Sequence, residues 1–549
     1  MNQTREKLRG SRRCRATAAL IAAALALAAV VGTTASAGAA KRASGPTGSI
    51  TVGYDFAFQG GMSFDPKNSV TGLNGYLQHM VMGSLFWFNG DGSLRPDLAS
   101  GYELTSPSVA EVTLRPNLTY TDGSPLTANE VKASIERTMT TPLPAIQVAM
   151  KYPSVNPNGL LQSIEVLSPT KLRFTMTGAY AGWLVLNLGQ MGGTIVNPKQ
   201  YDDPNLKSNP IGAGPYKIVS NNVGSELKLT ASDTYWDAKN VKIKDVTYLQ
   251  NANTGTGPTQ GINRMTTGEF DYYNGYYADT ASVIAGAKGD VKAVVTPSDT
   301  QYVWFNVCKN PYKSLTADVV AGLADQNVRT AMNLMVDREG LNKSLFAGMS
   351  EPRTQNWRKD SPFYSTKAAK GFTYNPTKAK QAMAKSAFPN GFEFTVVVNS
   401  TPTADRYVQY LQQQWSQLGI KLNIITSLNI STDWFQQLKG PAVETNFIGI
   451  QSFKLTSTYD AAAGTANACG WTQQQQYVDT LKGTAPDALK SLTKTWQASA
   501  ENVAETQSEI MLVWGLNQAL YNSAKIAKAV VTMDSLGNQQ IDPTRSTLK

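Results

Sequence analysis

The sequence has little of the side-chain chemistry on which most enzymes depend. Its 549 residues include one histidine, His79, and three cysteines. A Ser–His–Asp triad would have to use His79, and no G-x-S-x-G motif is present to carry a nucleophilic serine. A zinc site needs several histidine or cysteine ligands at close spacing, whereas Cys308 and Cys469 lie far apart. We therefore predict a protein that is not an enzyme and has no cofactor or metal.

Two alternatives stay open at this point. A hydrolase that uses two carboxylates is possible in principle, because acidic residues are plentiful although no pair stands out. Cys308 and Cys469 could form a disulfide or remain buried and free, and their spacing does not decide between these states.

His79 itself is interpreted as a buried or half-buried histidine of a helix rather than as a ligand.

The N-terminus has the features of an export signal. Its first 15 residues carry six basic side chains and one acid, and the apolar run 16–31 follows them. Small residues then offer A-x-A cleavage sites at Ala35–Ala37 and Ala37–Ala39. We assign residues 1–39 to a signal peptide. A retained membrane anchor is the alternative, although the apolar run is short for a bilayer span.

The signal also accounts for much of the positive charge. The chain has a formal net charge of +10, of which the signal contributes +5. The basic residues of the remainder are scattered, and no block of five or more like charges occurs. This pattern gives no support for nucleic-acid binding.

The region from Gly83 to Met139 has the most explicit local signals. Its pattern predicts a strand, a turn, a second strand and then a helix. Thr127 and Glu130 form an S/T-x-x-E capping box, in which each side chain bonds an unpaired amide of the first helical turn. Val131 and Ile135 follow at helical spacing.

Segment 374–426 indicates an α/β arrangement. Asn375 and Pro376 predict the start of a helix, and 392–398 is rich in β-branched and aromatic residues typical of a strand. Apolar residues then recur at helical spacing until Gly419, and 420–424 alternates as another strand. A strand, a helix and a strand with short connections imply a parallel, right-handed crossover. Further strands are predicted over 49–58, 171–176 and 226–230, and a helix with a core-facing methionine stripe over 327–338.

Several ordered motifs resemble the solute-binding proteins of ABC importers, in the dipeptide, oligopeptide and nickel class. The family segment "dG…P.LA…LR…F.DG.PLTA.DV" is matched in the same order, and later segments match its "GTGPY", "N..YW", "sGe.D" and "vRqAl..aiDR". The matching stretches are Asp91–Gly92, Arg95–Ala99, Leu114–Arg115, Asp122–Ala128, Gly212–Tyr216, Asp233–Asp237, Gly268–Asp271 and Asn327–Arg338. We interpret Gly212–Gly214 as a structural turn rather than a phosphate cradle, because Pro215 has no amide to donate.

The resemblance implies a type II periplasmic-binding-protein fold, which is an α/β fold of two lobes and a hinge with an extra inserted domain. Lobe I would comprise residues 45–82, 203–304 and 516–549. The inserted domain II would comprise 83–202, and lobe III 305–515.

The resemblance also suggests where a ligand binds. The chain has 10 tryptophans and 23 tyrosines, and some of these rings should line an interlobe cleft even though most are core. A family stretch with a stacking tryptophan and an acid corresponds here to 447–460, which has no tryptophan. The expected ligand-binding residues are Phe56, Phe58, Gln59, Met62, Trp304, Gln451, Phe453 and Asp460.

The implied function is capture of a small polar ligand and its delivery to ABC permease subunits. A peptide is the leading ligand class, with an oligosaccharide or a metal chelate as alternatives in the same family. The protein would be a monomer, exported to the periplasm or the outer face of the membrane. Cys14 precedes the apolar run, so the sequence departs from the lipoprotein pattern of many relatives.

Overall fold

The structure is a computed structural model, and it leaves residues 1–44 and several internal segments undescribed. It describes residues 45–54, 63–68, 72–90, 93–140, 160–178, 181–189, 191–251, 259–274, 280–304, 316–355, 359, 364–370, 373–399, 402–427, 494, 497–498, 500–501, 504–505, 509–533 and 539–549. The assignment of 1–39 to a signal peptide and the pairing of Cys308 with Cys469 lie outside these residues.

The strands fall along most of the described chain. They are β1 (Thr47–Tyr54), β2 (Phe86–Asn89), β3 (Leu94–Pro96), β4 (Ala99–Ser106), β5 (Val109–Leu114), β6 (Leu161–Ser168), β7 (Lys171–Met176), β8 (Tyr216–Asn222), β9 (Glu226–Ala231), β10 (Ile243–Gln250), β11 (Tyr272–Asn274), β12 (Val291–Trp304), β13 (Glu393–Asn399), β14 (Lys421–Ser427), β15 (Glu509–Asn522), β16 (Ile526–Lys528), β17 (Val531–Met533), β18 (Gln539–Ile541) and β19 (Thr547–Leu548).

The α-helices lie between these strands. They are α1 (Gly72–Met82), α2 (Ala128–Met139), α3 (Ala181–Leu188), α4 (Thr259–Thr266), α5 (Thr280–Gly286), α6 (Ala317–Ala324), α7 (Gln326–Leu334), α8 (Arg338–Phe346), α9 (Thr366–Ala369), α10 (Pro376–Ala384) and α11 (Pro402–Ser416). Within the described ranges, no helix has the length and apolar character that a membrane span requires.

A seven-stranded mixed sheet is the largest of the sheets. Its order is β12-β15-β11-β1-β10-β9-β8, with β1 parallel to both β10 and β11 and the other pairs antiparallel. The predicted first strand is confirmed as β1, whose inner residues alternate into the core beside α1. We call the hydrophobic cluster on this face of the sheet the main-sheet core; it includes Ile50, Val52, Tyr76, Tyr248 and Tyr272.

The region after α1 forms a second sheet and core. Strands β4-β5-β7-β6 pair antiparallel, and α2 packs on them through Val131 and Ile135, which are buried. The capping box of α2 is confirmed: Glu130 accepts from the Thr127 amide at 2.8 Å, and the Thr127 hydroxyl accepts from the Asn129 amide. Strand β7 has the bounds that the sequence predicts.

A third core contains the predicted crossover. Strands β13 and β14 pair parallel across α11, as the sequence predicts. The methionine stripe is confirmed as core, since Met332 and Met335 are fully buried. The predicted helix over 327–338 is wrong at its end, because α7 stops at Leu334. Asp337 accepts from the Gly340 amide and starts the new helix α8 instead.

C-terminal strands pair with strands from the N-terminal part of the chain. β17 pairs with β18 and with β2, so a four-stranded sheet β18-β17-β2-β3 joins segments that lie far apart in sequence. A smaller cluster that includes Met265 and Phe270 makes a fourth hydrophobic core among the described residues. The boundaries 45–82, 203–304, 516–549, 83–202 and 305–515 stay a prediction.

Candidate functional site

The three parallel strands of the main sheet end together. In the β1–β10 and β1–β11 registers, Tyr54 lies opposite Gln250 and Asn274, so the last residues of β1, β10 and β11 share one row. Ligands of open α/β sheets bind outside the carboxyl ends of the parallel strands, where the strand order changes direction. We call this row the carboxyl edge. It is the candidate site.

A long two-stranded ribbon runs beside the carboxyl edge. β12 and β15 pair antiparallel from Val291 with Asn522 to Trp304 with Glu509. One end of β15 packs in the third core through Ile510, and the other end packs in the main-sheet core through Ala519. The ribbon therefore connects two cores. Its register shifts lie in the middle, between 297 and 302, where β-bulges bend and twist a strand pair.

Buried polar groups fix the backbone at the carboxyl edge. The Asn251 amide donates to the Tyr54 carbonyl at 2.7 Å, and Asn251 Oδ1 accepts from Arg264 Nη1 at 3.2 Å. Arg264 is itself held by Glu269 at 2.6 and 2.8 Å. Burial raises the pKa of Tyr54. The edge is thus polar, with an ion pair of Arg264 and Glu269 beside Asn251.

A C-terminal strand reaches the same edge. Asn274, the last residue of β11, donates from Nδ2 to the Gln539 carbonyl at 2.6 Å. Gln539 is the first residue of β18 and is 2% exposed. No sequence signal marks Asn274 or Gln539 as site residues, since nothing local distinguishes them from other amide side chains.

Most of the predicted ligand-binding residues lie outside the described residues. Phe56, Phe58, Gln59 and Met62 follow β1 directly in the chain, and Gln451, Phe453 and Asp460 lie between 428 and 493. Trp304 is the last residue of β12, at the far end of the ribbon. All eight assignments stay predictions.

The predicted core role of the other aromatic clusters holds where they are described. Phe86, Trp87, Phe270 and Tyr273 are buried. His79 is buried in α1 with its ring 5.7 Å from that of Trp87, as expected for a histidine of the helix. Among the residues with described positions, no cluster of three or more His, Cys, Asp or Glu side chains could hold a metal ion.

Three of the family-like motifs, "P.LA", "LR" and "YW", meet at a buried carboxylate. Asp97 is fully buried, and its two oxygens accept from Trp87 Nε1 at 3.0 Å, Tyr235 Oη at 2.6 Å, Trp236 Nε1 at 3.0 Å and the Ser84 amide at 3.4 Å. We call this group the Asp97 hub. Burial raises the pKa of Asp97, and the hydrogen bonds from Tyr235 and Trp236 oppose that rise.

An arginine completes the hub. Arg115 donates from Nε to the Asp97 carbonyl at 2.6 Å, and its guanidinium lies 3.5 Å from the centroid of the Trp236 ring. Stacking of this kind stabilises an exposed tryptophan face. The "P.LA", "LR" and "YW" matches are therefore structural in this protein, because all three supply groups to one buried contact.

The Gly212–Tyr216 motif is also structural. A Cβ on Gly212 would lie 1.9 Å from the Val81 carbonyl oxygen, and one on Gly214 would lie 2.5 Å from that of Met80. The Gly214 amide donates to the Val81 carbonyl at 3.1 Å. Only glycine allows the chain to approach the end of α1 so closely. The interpretation of this motif as a turn is supported.

Solved structures of other proteins share this fold. Over 91% of this chain and all of that one, the structure is similar to a dipeptide-binding protein from Pseudoalteromonas sp. SM9913 in complex with Met-Leu, with a TM-score of 0.70 and 15% identity. It is also similar to NikA from Staphylococcus aureus in complex with Ni(L-His)2, over 91% of this chain and all of that one, with a TM-score of 0.68 and 16% identity. The protein therefore has the periplasmic-binding-protein type II fold.

The sequence comparison places the chain within that class. Residues 93–465 match the family of bacterial extracellular solute-binding proteins, family 5. A glutathione-binding protein of Pectobacterium atrosepticum is 25% identical over 382 residues, which is 68% of each chain. The chain belongs to the family 5 solute-binding proteins, whose members capture ligands for ABC transport. The family and the structural neighbours are binding proteins rather than enzymes.

Proposed function

We propose that this protein captures a peptide at the carboxyl edge and delivers it to ABC permease subunits outside the cytoplasm. The observation that carries the proposal is the common end of β1, β10 and β11 beside a ribbon that connects two cores. A ligand at this edge would lie where the two cores meet the ribbon. Phe56, Phe58, Gln59 and Met62 would contact it, because they follow β1 in the chain.

The ribbon of β12 and β15 is the element that would bend between an open and a closed form. A ligand shifts an equilibrium between an open and a closed form only by its differential affinity for the two forms. A change from 1:99 to 99:1 requires about 5.5 kcal/mol of such differential affinity. Bending of the ribbon near 297–302 would change the distance between the two cores while leaving each core intact. Closure would then signal occupancy to the permease.

A peptide is favoured over the other ligand classes by two observations. The relatives that match by sequence include glutathione-binding proteins. The side chains of Asn251, Asn274 and Gln539 at the carboxyl edge are buried amides, the kind of group that hydrogen-bonds a peptide backbone. The protein would act as a monomer and without catalysis, and Gln451, Phe453, Asp460 and Trp304 would contribute from the second side.

A thermal-shift screen tests the proposal. The purified protein would be heated with glutathione, the dipeptide Met-Leu, maltotriose and Ni(L-His)2 in separate samples. A ligand at a hundred times its dissociation constant stabilises the folded state by about 2.7 kcal/mol. We expect a shift with at least one of the two peptides. A shift with maltotriose or with Ni(L-His)2 alone would contradict a peptide ligand.

Turnover is measured in the same samples. Mass spectrometry of the peptides after prolonged incubation should show them unchanged. Hydrolysis of a peptide at a rate proportional to protein concentration would contradict a role confined to capture and would favour a secreted hydrolase.

A further inference from the structure

The side chain of Gln539 is buried and lacks polar contacts. Its residue is 2% exposed, and within the described part of the chain neither Nε2 nor Oε1 has a hydrogen-bond partner. A carboxamide offers two donors and an acceptor, so both kinds of group are unsatisfied here. Leaving such groups unpaired in a protein interior is costly, and native structures rarely do so without a functional reason.

The position of Gln539 supplies that reason. Its carbonyl oxygen accepts from Asn274 Nδ2 at 2.6 Å, and Asn274 ends β11 in the row of the carboxyl edge. The unsatisfied amide therefore belongs to a residue held directly against the candidate site. The adjacent residue Gln540 is also buried, but it does have interactions with other residues. Gln539 and Gln540 are therefore both buried, but they differ in whether the side chain has interaction partners.

We infer that the Gln539 carboxamide is a specificity-determining group that hydrogen-bonds an uncharged amide of the bound ligand. A neutral group that both donates and accepts matches a peptide bond, which offers one carbonyl and one N–H. It gives no charge to balance a carboxylate or a cation. The inference rests on the proposed function and refines it, because it assigns a contact to the C-terminal strand β18 that sequence reasoning did not anticipate.

The test compares two leucine variants of adjacent glutamines. Gln539→Leu removes both polar atoms at similar volume, and Gln540→Leu is the matched control in the same strand. Isothermal titration calorimetry with glutathione and with Met-Leu, applied to the full chain, gives affinities, and thermal unfolding of the ligand-free proteins gives stabilities. For Gln539→Leu we expect about a tenfold loss of affinity for the peptide that binds, and an unfolding temperature equal to or above that of the wild type.

The control should behave in the opposite way. Gln540→Leu should retain the wild-type affinity and should unfold at a lower temperature, because it loses the interactions of Gln540. Wild-type affinity in Gln539→Leu would overturn the inference and leave the proposed function standing. A lower unfolding temperature of ligand-free Gln539→Leu would also overturn it, since the amide would then be a bonded structural group.

Failure of the proposed function gives a different result. If the wild type binds neither peptide, the proposal of a peptide ligand is contradicted, and the contact assigned to Gln539 is overturned with it. If the wild type binds a peptide and Gln539→Leu binds it equally well, only the inference is overturned.

Discussion

Two buried polar residues in this protein have opposite surroundings. The Asp97 carboxylate accepts four hydrogen bonds from groups of two separate segments, whereas the Gln539 carboxamide has no partner among the described residues. A buried polar group that is fully bonded stabilises and specifies the fold. One that is unbonded lowers the stability of the free protein, and for Gln539 we infer that a ligand satisfies it. The comparison thus contrasts a structural centre with an inferred ligand contact.

The same comparison accounts for the position of three family-like motifs. The "P.LA", "LR" and "YW" matches contribute Asp97, Arg115 and Trp236 to the Asp97 hub. Groups that support a shared fold can be common to relatives with different ligands.

The largest effect should come from removing the centre of the hub. Asp97→Leu leaves four buried donors without an acceptor, and it should lower the free energy of unfolding by about 4 kcal/mol. Urea unfolding followed by tryptophan fluorescence measures the change. The control is Asp233→Ala, which removes an exposed carboxylate that bonds Lys217 and should leave the unfolding midpoint unchanged. A small effect of Asp97→Leu would mean that the hub is not a structural centre.

A single hydrogen bond to the hub should have a smaller effect. Tyr235→Phe deletes only the hydroxyl that donates to Asp97 at 2.6 Å. Hydrogen bonds to a charged group contribute about 1.5 to 3 kcal/mol, so we expect a loss of about 2 kcal/mol in the same unfolding experiment. An unchanged stability would show that water or another donor replaces the phenol, and it would weaken the contrast with Gln539.

A pH titration tests the ion pair between Asp122 and Lys199. The bonds from Lys199 at 2.7 Å and from Ser124 lower the pKa of Asp122 to about 2. The ordinary value in an unfolded chain is about 4, so the ionised carboxylate contributes stability above that pH and loses it as the pH falls towards 2.

Partial exposure reduces the size of this contribution. Asp122→Asn should cost about 1 kcal/mol at pH 6 after allowance for solvent screening, and it should cost almost nothing at pH 2. Thermal unfolding of both proteins across this pH range measures the difference. A difference that stays constant with pH would show that the effect of Asp122 is not ionic.

The smallest effect is expected at an unpaired hydroxyl. Tyr272 is fully buried, and its Oη has no hydrogen-bond partner within the described residues. Tyr272→Phe should therefore leave the free energy of unfolding unchanged or raise it by up to about 1 kcal/mol. It is the matched counterpart of Tyr235→Phe, since both changes delete one buried hydroxyl. A loss of about 2 kcal/mol in both variants would remove the distinction between paired and unpaired groups.

Local sequence signals predicted a large part of the fold. The capping box at Thr127 and Glu130, the first strand and the parallel pair on either side of α11 are all confirmed. These features depend on residues close together in the chain, and the spacing of such residues predicts the local geometry. The end of α7 was predicted wrongly, because Asp337 also fits the helical pattern and its capping role depends on a turn.

Contacts between distant segments could not be predicted in this way. Tyr235 and Trp236 reach Asp97 across 138 and 139 positions, and Gln539 reaches Asn274 across 265. No local sequence pattern predicts which of many tyrosines or glutamines will contact a given carboxylate or strand end. The predicted ligand-binding residues other than Trp304 lie outside the described residues and depend on the resemblance alone.

The sequence by itself determined the family, the α/β character and several helix and strand positions, because those are encoded in periodicity, caps and ordered motifs. Only the tertiary structure decided which polar groups are bonded and which are not. That property depends on the close approach of segments from across the chain, and burial makes it energetically decisive. The satisfied Asp97 and the unsatisfied Gln539 differ in their surroundings, and it is on those surroundings that we assign one to the fold and infer a ligand contact for the other.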